Sequence, residues 1–463
     1  MSLKVAIVGG GISGLSLAWF LMAGSNPGEE NAIEPVVLEA EERPGGKIRT
    51  EKADGYLPEW GANGFLDNRP HTLEFAQGLG LKPLRSTDAS RKRFIFLKGG
   101  LKLLPESPKA FLASGVLSPL GKLRIALEPF IRAKMDDETL AEFATRRLGR
   151  EAFENLIDPM ASGIFAGDPA KMSVESCFPR IKKIEREYGG LIKGMMKLGK
   201  EAKKTGKGPV GAGPGGTLSS FPGGLGQLIT AAKTALGDER VKLCHRVEGI
   251  EKLKTGYRVH IGGEGKSSFV EADYVVLACP AYEASLVLKD FDNGLSRLIA
   301  DIHYPAVSVV SLGFKKEKIP FDAQAFGFLV PFKEGRKILG TLYDSSIFPE
   351  RAPEGHVLLR VMAGGARASA LAMLPDEKLL STVMGELGEM LGLKADPDFT
   401  RIFRHEKAIP QYPLGHLERL KKMDEMVAAH RGLFITGNAF RGIAMNDCID
   451  NSFKLAQNII SVS

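Results

Sequence analysis

Hydrophobic and polar positions follow changing periods along this chain, and the changes divide it. Lys4-Val5-Ala6-Ile7-Val8 is a short apolar run, the pattern of a strand buried on both faces. A glycine cluster ends it, and a second such run, Pro35-Val36-Val37-Leu38, follows one helix-length later. From about 100 to 200 apolar residues recur at i, i+3 and i+4, predicting helices over 119–131, 138–148 and 150–161. Gly223 to Gly226 opens another helix, and strands are expected at 241–247, 256–261 and 273–278, the last stopped by Pro280. Residues 305–363 read as mostly β, with strands near 306–314, 325–330, 337–343 and 357–363. A helix covers about 376–391, and the chain closes on a strand at 433–437 and a helix from Met445 to about 461. No internal repeat is evident.

The first turn carries chemistry. Gly9-Gly10-Gly11-Ile12-Ser13-Gly14 is G-x-G-x-x-G placed where a buried strand passes into a helix. Gly9 permits the tight turn, Gly11 lets backbone approach a pyrophosphate, and Gly14 lets helix and strand pack closely. The second strand ends in Glu39, where a ribose-binding acid belongs. Together these predict dinucleotide binding at a helix N-terminus. Seven residues past that acid, Gly45-Gly46 with Arg43, Lys47 and Arg49 forms a second glycine turn close to the same pyrophosphate. It is similar to the R-x-G-G-[KR]-x-x-[ST] signature of the flavin amine-oxidase superfamily, which favours FAD over a nicotinamide cofactor.

Composition narrows the class. At 463 residues, 44% apolar and 25% charged, the chain is an ordinary globular protein of several domains. No run is long and apolar enough for a transmembrane helix, and the N-terminal run is not a secretory signal. Cys177, Cys244, Cys279 and Cys448 are far apart and read as thiols of a reducing compartment. No histidine spacing supports a metal site. The net charge of +7 sits in one place: Arg180 to Lys207 holds ten Lys or Arg against three Glu. Ile181, Ile184, Leu191, Ile192, Met195, Met196 and Leu198 interleave with these charges, and a Gly/Pro-rich linker follows. Such a basic amphipathic helix fits either an anionic membrane surface or a solvated helix face. Nucleic acid is disfavoured, because one short patch lacks interleaved aromatics.

Further segments resemble the protoporphyrinogen oxidase family of that superfamily nearly end to end. They include Trp60-Gly61-Ala62-Asn63-Gly64-Phe65, Arg93-Phe94-Ile95-Phe96 and Ser162-Gly163-Ile164-Phe165-Ala166-Gly167-Asp168-Pro169. Phe221-Pro222-Gly223-Gly224-Leu225, Gly327-Phe328-Leu329-Val330-Pro331 and Ile409-Pro410-Gln411-Tyr412 continue the match, and Gly442-Ile443-Ala444-Met445-Asn446-Asp447-Cys448-Ile449 closes it. The resemblance implies an α/β fold: a Rossmann-like FAD-binding domain, a β-rich substrate domain and a helical membrane-facing insertion. Non-covalent FAD would be held by Gly9, Gly11, Ile12, Ser13, Gly14, Glu39, Ala40, Arg43, Lys47 and the loop Gly61, Ala62, Asn63, Gly64. Val247 would contact it near the adenine, and Asn438, Ile443, Ala444 and Met445 at the flavin end. Arg93 matches the arginine that pairs with a substrate propionate. Gly163, Phe326, Gly327, Leu329, Leu342, Met362 and Ile409 match residues that enclose the tetrapyrrole.

The expected reaction is the six-electron oxidation of protoporphyrinogen IX in heme synthesis, by hydride transfer to flavin and reoxidation by O2. No acid–base dyad is then required, and Asn63 is a candidate only for orienting the ring. A coproporphyrinogen III oxidase is the near alternative, although its four carboxylates call for more cations than Arg93. A flavin amine oxidase or carotene desaturase is the distant one. The expected setting is cytoplasmic and peripherally membrane-associated, with a homodimer among the options. The division anticipated is FAD-binding at 1–80, 218–283 and 412–463, substrate-binding at 81–98 and 284–411, helical at 99–187, and a basic segment with flexible linker at 188–217.

Overall fold

The computed structural model describes residues 2–25, 32–204, 215–262 and 268–462. The apolar runs at the N-terminus become the strands Leu3–Val8 and Ile33–Leu38, paired in parallel, with the helix Ile12–Ala23 between them. Val241–Lys242 extends this sheet beyond Ile33–Leu38, while Tyr274–Leu277 and then Leu433–Ile435 extend it on the other side. Five parallel strands therefore come from three separated stretches of chain. Both faces are covered, which is why these strands read as near-continuous apolar runs.

A seven-stranded, mostly antiparallel sheet forms the second layer. Its spatial order is Phe399–His405, Val307–Lys315, His356–Gly364, Ile338–Tyr343, Gly327–Leu329, Arg93–Leu97 and Gly100–Leu103. Gly327–Leu329 and Arg93–Leu97 run parallel, so a segment from early in the chain joins the late β region. One face packs Phe96, Phe328, Tyr343 and Val361 against Leu379, Val383 and Leu387 of the helix Asp376–Leu391. Each fully buried aliphatic chain there contributes about 1.5–3 kcal/mol.

Helices fill 108–204. The helix expected over 119–131 ends at Ala126, and a 3-10 turn with Pro129 inside it follows at Glu128–Phe130. The stretch expected as one helix over 150–161 runs on to Phe165 and contains a π-helical turn, Phe153–Ile157. The strand expected over 241–247 is two, broken where Cys244 takes φ +56°.

The basic amphipathic stretch also breaks in two, Pro179–Tyr188 and Leu191–Lys204, at Gly189 with φ +73°. Its apolar stripe faces inward: Ile184 and Leu191 are buried, and Ile181, Met195 and Leu198 pack beside them. Lys182 is buried as well, between Glu138 (3.1 Å) and Glu185 (3.0 Å). Buried Arg147 pairs with Glu128 and donates to the carbonyls of Ile131 (2.7 Å) and Gly189 (3.2 Å). Glu128 in turn accepts from the first amides of the next helix, Leu191 (2.8 Å) and Ile192 (3.1 Å). The stripe is thus mainly a core stripe, held by internal ion pairs. Residues 205–214 of the anticipated linker lie outside the described residues.

Candidate functional site

The glycine turn has the geometry its spacing implied. Gly9 sits at φ +109°, and a Cβ on Gly14 would lie 2.0 Å from the Gly9 carbonyl oxygen, so neither position accepts a side chain without strain. A Cβ on Gly11 would meet nothing within 4 Å, which leaves open space where a pyrophosphate approaches the helix N-terminus. Ile12 and Ser13 open that helix, and the Ser13 carbonyl accepts from the hydroxyl of Ser452 (2.8 Å), which ties down the C-terminal helix. Glu39 is buried at the end of its strand, where its carboxylate accepts from the amides of Gly10 (2.7 Å) and Glu41 (2.9 Å). Ala40 follows it, half-buried. The His245 amide donates to the Glu39 carbonyl (2.7 Å), and this brings the strand carrying Val247 alongside.

The second glycine turn lies on the first. The Gly45 amide donates to the Gly10 carbonyl (2.7 Å), and Gly11 and Gly45 form a β-bridge. The side chain of Arg43 donates to the Gly46 carbonyl (2.9 Å), and Arg49 lies 3.8 Å over the ring of Trp60. Burial pushes the Lys47 ammonium down to about 8; it donates to the Ala408 carbonyl and sits 5.0 Å from the centre of the Tyr304 ring. Trp60 opens the loop Gly61, Ala62, Asn63, Gly64 and stacks on Phe403 of the large sheet at 4.7 Å. From the far end, Gly437 (φ +122°) and Gly442 (φ +77°) bracket Asn438, whose carbonyl accepts from buried Tyr412. Ile443 packs toward the helical cluster, Ala444 donates weakly to Asp447 (3.3 Å), and Met445 is buried against the parallel sheet. The parallel sheet's glycine turns, an open Gly11 and a buried acid at the strand end fit the pyrophosphate and ribose of a dinucleotide.

The matched pocket residues converge on the free face of the large sheet. Strand register puts Leu329, Gly340 and Met362 in one row, and Arg93, Gly327, Leu342 and Arg360 in the next. Leu329, Leu342 and Met362 are each only half-buried, although their strand neighbours on the other face are core. Phe326 lies at the mouth, with the exposed Arg93 guanidinium 4.9 Å over its ring. Gly163, in the helix Asp158–Phe165, closes one side: a Cβ there would come 2.7 Å from Leu329 Cδ2. Ile409 packs with Ala166, Val307 and Leu339 at the end of the row.

Sequence reasoning missed the groups beneath this loop. Arg360 is buried in the pocket-facing row, donates to the Gly61 carbonyl and lies 3.3 Å from buried Asp344. Asp344 accepts from the Asn63 amide nitrogen (3.1 Å). Burial pushes the Asp344 carboxyl up, and the Arg360 and Arg351 guanidiniums offset this only in part. Glu59 is buried beside Arg351 (3.5 Å), and it accepts from the Thr50 hydroxyl (2.7 Å) and the Leu225 amide (2.8 Å). Desolvation outweighs these partners and raises its carboxyl to about 7. A signal existed: Arg360 is the lone charge in the apolar run Val357 to Met362. Isolated charges in such strands are buried and partnered.

Residues 12–460 match the flavin-containing amine oxidoreductase family. A chloroplastic protoporphyrinogen oxidase of Oryza sativa subsp. japonica is 35% identical over 481 residues, covering 99% of this chain and 88% of that protein. A coproporphyrinogen III oxidase of Bacillus subtilis is 30% identical over 459 residues, covering 96% of this chain and 95% of that protein. A crystal structure from Exiguobacterium sp. 255-15, provisionally named a protoporphyrinogen oxidase, superposes with TM-score 0.83 at 25% identity and covers 100% of this chain and 99% of that one. The fold is therefore amine-oxidase-like and the cofactor is FAD. This chain belongs to the flavin-containing amine oxidoreductase family.

Proposed function

We propose that this protein oxidises protoporphyrinogen IX to protoporphyrin IX in heme synthesis. The carrying observation is the face of the large sheet turned away from the helix Asp376–Leu391: half-buried Leu329, Leu342 and Met362, with the exposed cation Arg93 at the end of their rows. A flat apolar wall suits a macrocycle, and one guanidinium suits one propionate bidentately. Arg93 has no carboxylate partner among the described residues, whereas Arg360 in the same row is committed to Asp344 and Gly61. One available cation in that row favours the substrate with two carboxylates over coproporphyrinogen III with four.

When bound, FAD supplies the hydride-accepting centre for each of three two-electron steps, with O2 as the final acceptor. The chain's own part is positional. Gly9, Gly11, Gly14 and Glu39 hold the nucleotide end, while Arg43 and Lys47 bring positive charge to the loop beneath the pyrophosphate. Gly61 to Gly64, Asn438 and Ile443 to Met445 line the flavin end. Leu329, Leu342, Met362, Phe326 and Ile409 exclude water and set the ring plane, Gly163 and Gly327 let the wall pack closely by meeting Leu329 and the Thr341–Leu342 backbone without a side chain, and Arg93 sets the ring's orientation. The anticipated domain boundaries, 1–80, 81–98, 99–187, 188–217, 218–283, 284–411 and 412–463, are proposed on the same basis.

Peripheral membrane contact belongs to this reading. Among the described residues no helix is long and apolar enough to cross a membrane. Support for surface contact comes from 109–135, where Leu112 (67% exposed), Leu120 (77%), Leu123 (57%) and Phe130 (82%) stand out among Lys109, Arg132 and Lys134. Exposed apolar chains rimmed by cations suit an anionic interface.

Anaerobic titration of the flavoprotein with protoporphyrinogen IX and, separately, with coproporphyrinogen III tests the proposal. Flavin bleaching with porphyrin fluorescence from the first but little from the second is the expected result. Preference for coproporphyrinogen would move the protein to the other substrate, and bleaching by neither would overturn the oxidase reading.

A further inference from the structure

We infer that Asp344 is a positioning residue that fixes the polarity of Asn63, so that Asn63 meets the macrocycle as a hydrogen-bond acceptor for a pyrrole N–H. The inference rests on the tetrapyrrole reading above and adds a residue and a direction to it.

A side-chain amide has a donor end and an acceptor end, and its neighbours decide which faces a ligand. Asn63 Nδ2 donates to Asp344 Oδ1 at 3.1 Å. An ionised carboxylate only accepts, so the amide cannot turn over without placing oxygen against oxygen. Arg360 lies 3.3 Å from the other Asp344 oxygen and favours the ionised form of a carboxyl that is otherwise wholly buried. Arg360 also holds the Gly61 carbonyl, so backbone and side chain of the loop share one anchor. The consequence is at the other end of the amide: Asn63 Oδ1 is buried and has no partner among the described residues. A buried acceptor without a donor is costly, and such orphans in a cleft mark places where a ligand completes the bond.

The placement agrees. Asp344 begins two residues after Leu342, and Arg360 is the direct cross-strand partner of Leu342. The loop carrying Asn63 is therefore anchored on the row that forms the macrocycle wall. A porphyrinogen presents four pyrrole N–H donors around its centre and no acceptor there. An acceptor at Asn63 matches it, and a donor would not.

The test uses full-length flavoprotein and two macrocycles that differ only at the centre: protoporphyrin IX, which keeps pyrrole N–H groups, and its square-planar palladium(II) chelate, which has none and takes no axial ligand. Binding is read from porphyrin fluorescence or absorbance, with flavin content and melting temperature as controls. Wild type is expected to bind the free base about tenfold more tightly, the scale of one hydrogen bond to a buried acceptor. Asn63→Ala is expected to abolish that preference. Asp344→Asn is expected to reduce it, because the amide is then free to turn over. The Asn63→Asp/Asp344→Asn double variant restores a donor–acceptor pair with an acceptor left over, and is expected to regain the preference. A purely structural role for Asp344 would lower the melting temperature of every variant and leave the ratio unchanged, which would overturn the inference. Equal binding of the two macrocycles by a wild type that still bleaches with protoporphyrinogen would overturn it alone. Neither binding nor bleaching would overturn it together with the proposed function.

Discussion

Two clusters of buried arginine and carboxylate in this molecule look alike in composition and differ in how far they are satisfied. In the helical region, Glu128, Glu138, Glu185, Arg146, Arg147 and Lys182 close on one another and on backbone groups; the carboxylate oxygens all find partners, and Arg147 Nε alone in this cluster lacks a hydrogen bond. Under the loop 59–64, Glu59, Asp344, Arg351 and Arg360 leave Asp344 Oδ2, Arg351 Nε, Arg360 Nε and Asn63 Oδ1 without hydrogen bonds. Buried ion pairs contribute little net stability compared with apolar packing. A closed cluster is thus retained for architecture, here to hold the two basic helices in place. An incomplete one beside a cleft is retained for what enters the cleft.

Removing one guanidinium from each cluster separates the two roles and gives the largest effects. Arg147→Met leaves Glu128 buried without its partner, at a cost of about 3–5 kcal/mol. For a chain of this length that lowers the melting temperature by about 3–5 °C. Porphyrinogen oxidation per bound flavin is expected to stay near wild type. Arg360→Met carries a similar stability loss, and oxidation per bound flavin is expected to fall as well, since Gly61 and Asp344 both lose their anchor. Equal retention of turnover in both variants would erase the distinction.

Acidity sharpens it further. Glu59 is raised to about 7 by burial, so the folded state favours its protonated form. Its contribution is complete below the ordinary glutamate range and is lost as pH rises through about 7. On the order of 3 kcal/mol is involved. Glu59→Gln is therefore expected to shrink the fall in melting temperature between pH 5 and pH 8, by about 3 °C. An unchanged pH profile would show that Arg351 keeps Glu59 ionised throughout.

The nucleotide end was legible from residues because its constraints are local. Gly9, Gly11, Gly14 and Glu39 act within one strand–turn–helix–strand unit, and their spacing encodes the geometry. The helix Asp376–Leu391 was equally plain, with an uninterrupted apolar stripe and a left-handed Gly392 at its end. The strands Arg93–Leu97 and Phe399–His405 were not read as strands. They join the large sheet through distant partners, Arg93 opposite Gly327 and His405 opposite Val307, and no local period reports such pairing. The same reason hid Asp344 and Arg360: their role exists only once Ile338–Tyr343 and His356–Gly364 pair. The basic stretch stayed open between two readings, because a stripe packed on a core and a stripe facing lipid have the same period.

Arg93 tests the rim of the cleft. It is exposed and stacked on Phe326, so Arg93→Ala removes no buried partner, and stability is expected to hold. A charged hydrogen bond to a propionate contributes roughly 1.5–3 kcal/mol, which predicts a KM about 10–100-fold higher with kcat little changed. A fall in kcat alone would place Arg93 on the reacting centre instead of the rim.

The smallest effect concerns the proposed membrane contact of the helical region. Its closed ion cluster keeps Ile184 and Leu191 of the basic helices inside, so those side chains are unavailable to lipid. Contact then falls to Leu120 and Phe130, which stand 77% and 82% exposed. Replacing both with aspartate removes apolar contact and adds repulsion from anionic headgroups, while touching no core. Sedimentation with phosphatidylglycerol vesicles is expected to show about tenfold weaker binding for this double variant. Arg147→Met provides the converse, since loosening the cluster frees the basic stripe and is expected to strengthen vesicle binding. If the double aspartate variant binds as wild type does, the surface around Leu120 and Phe130 faces water, and the membrane contact must be sought elsewhere on the molecule.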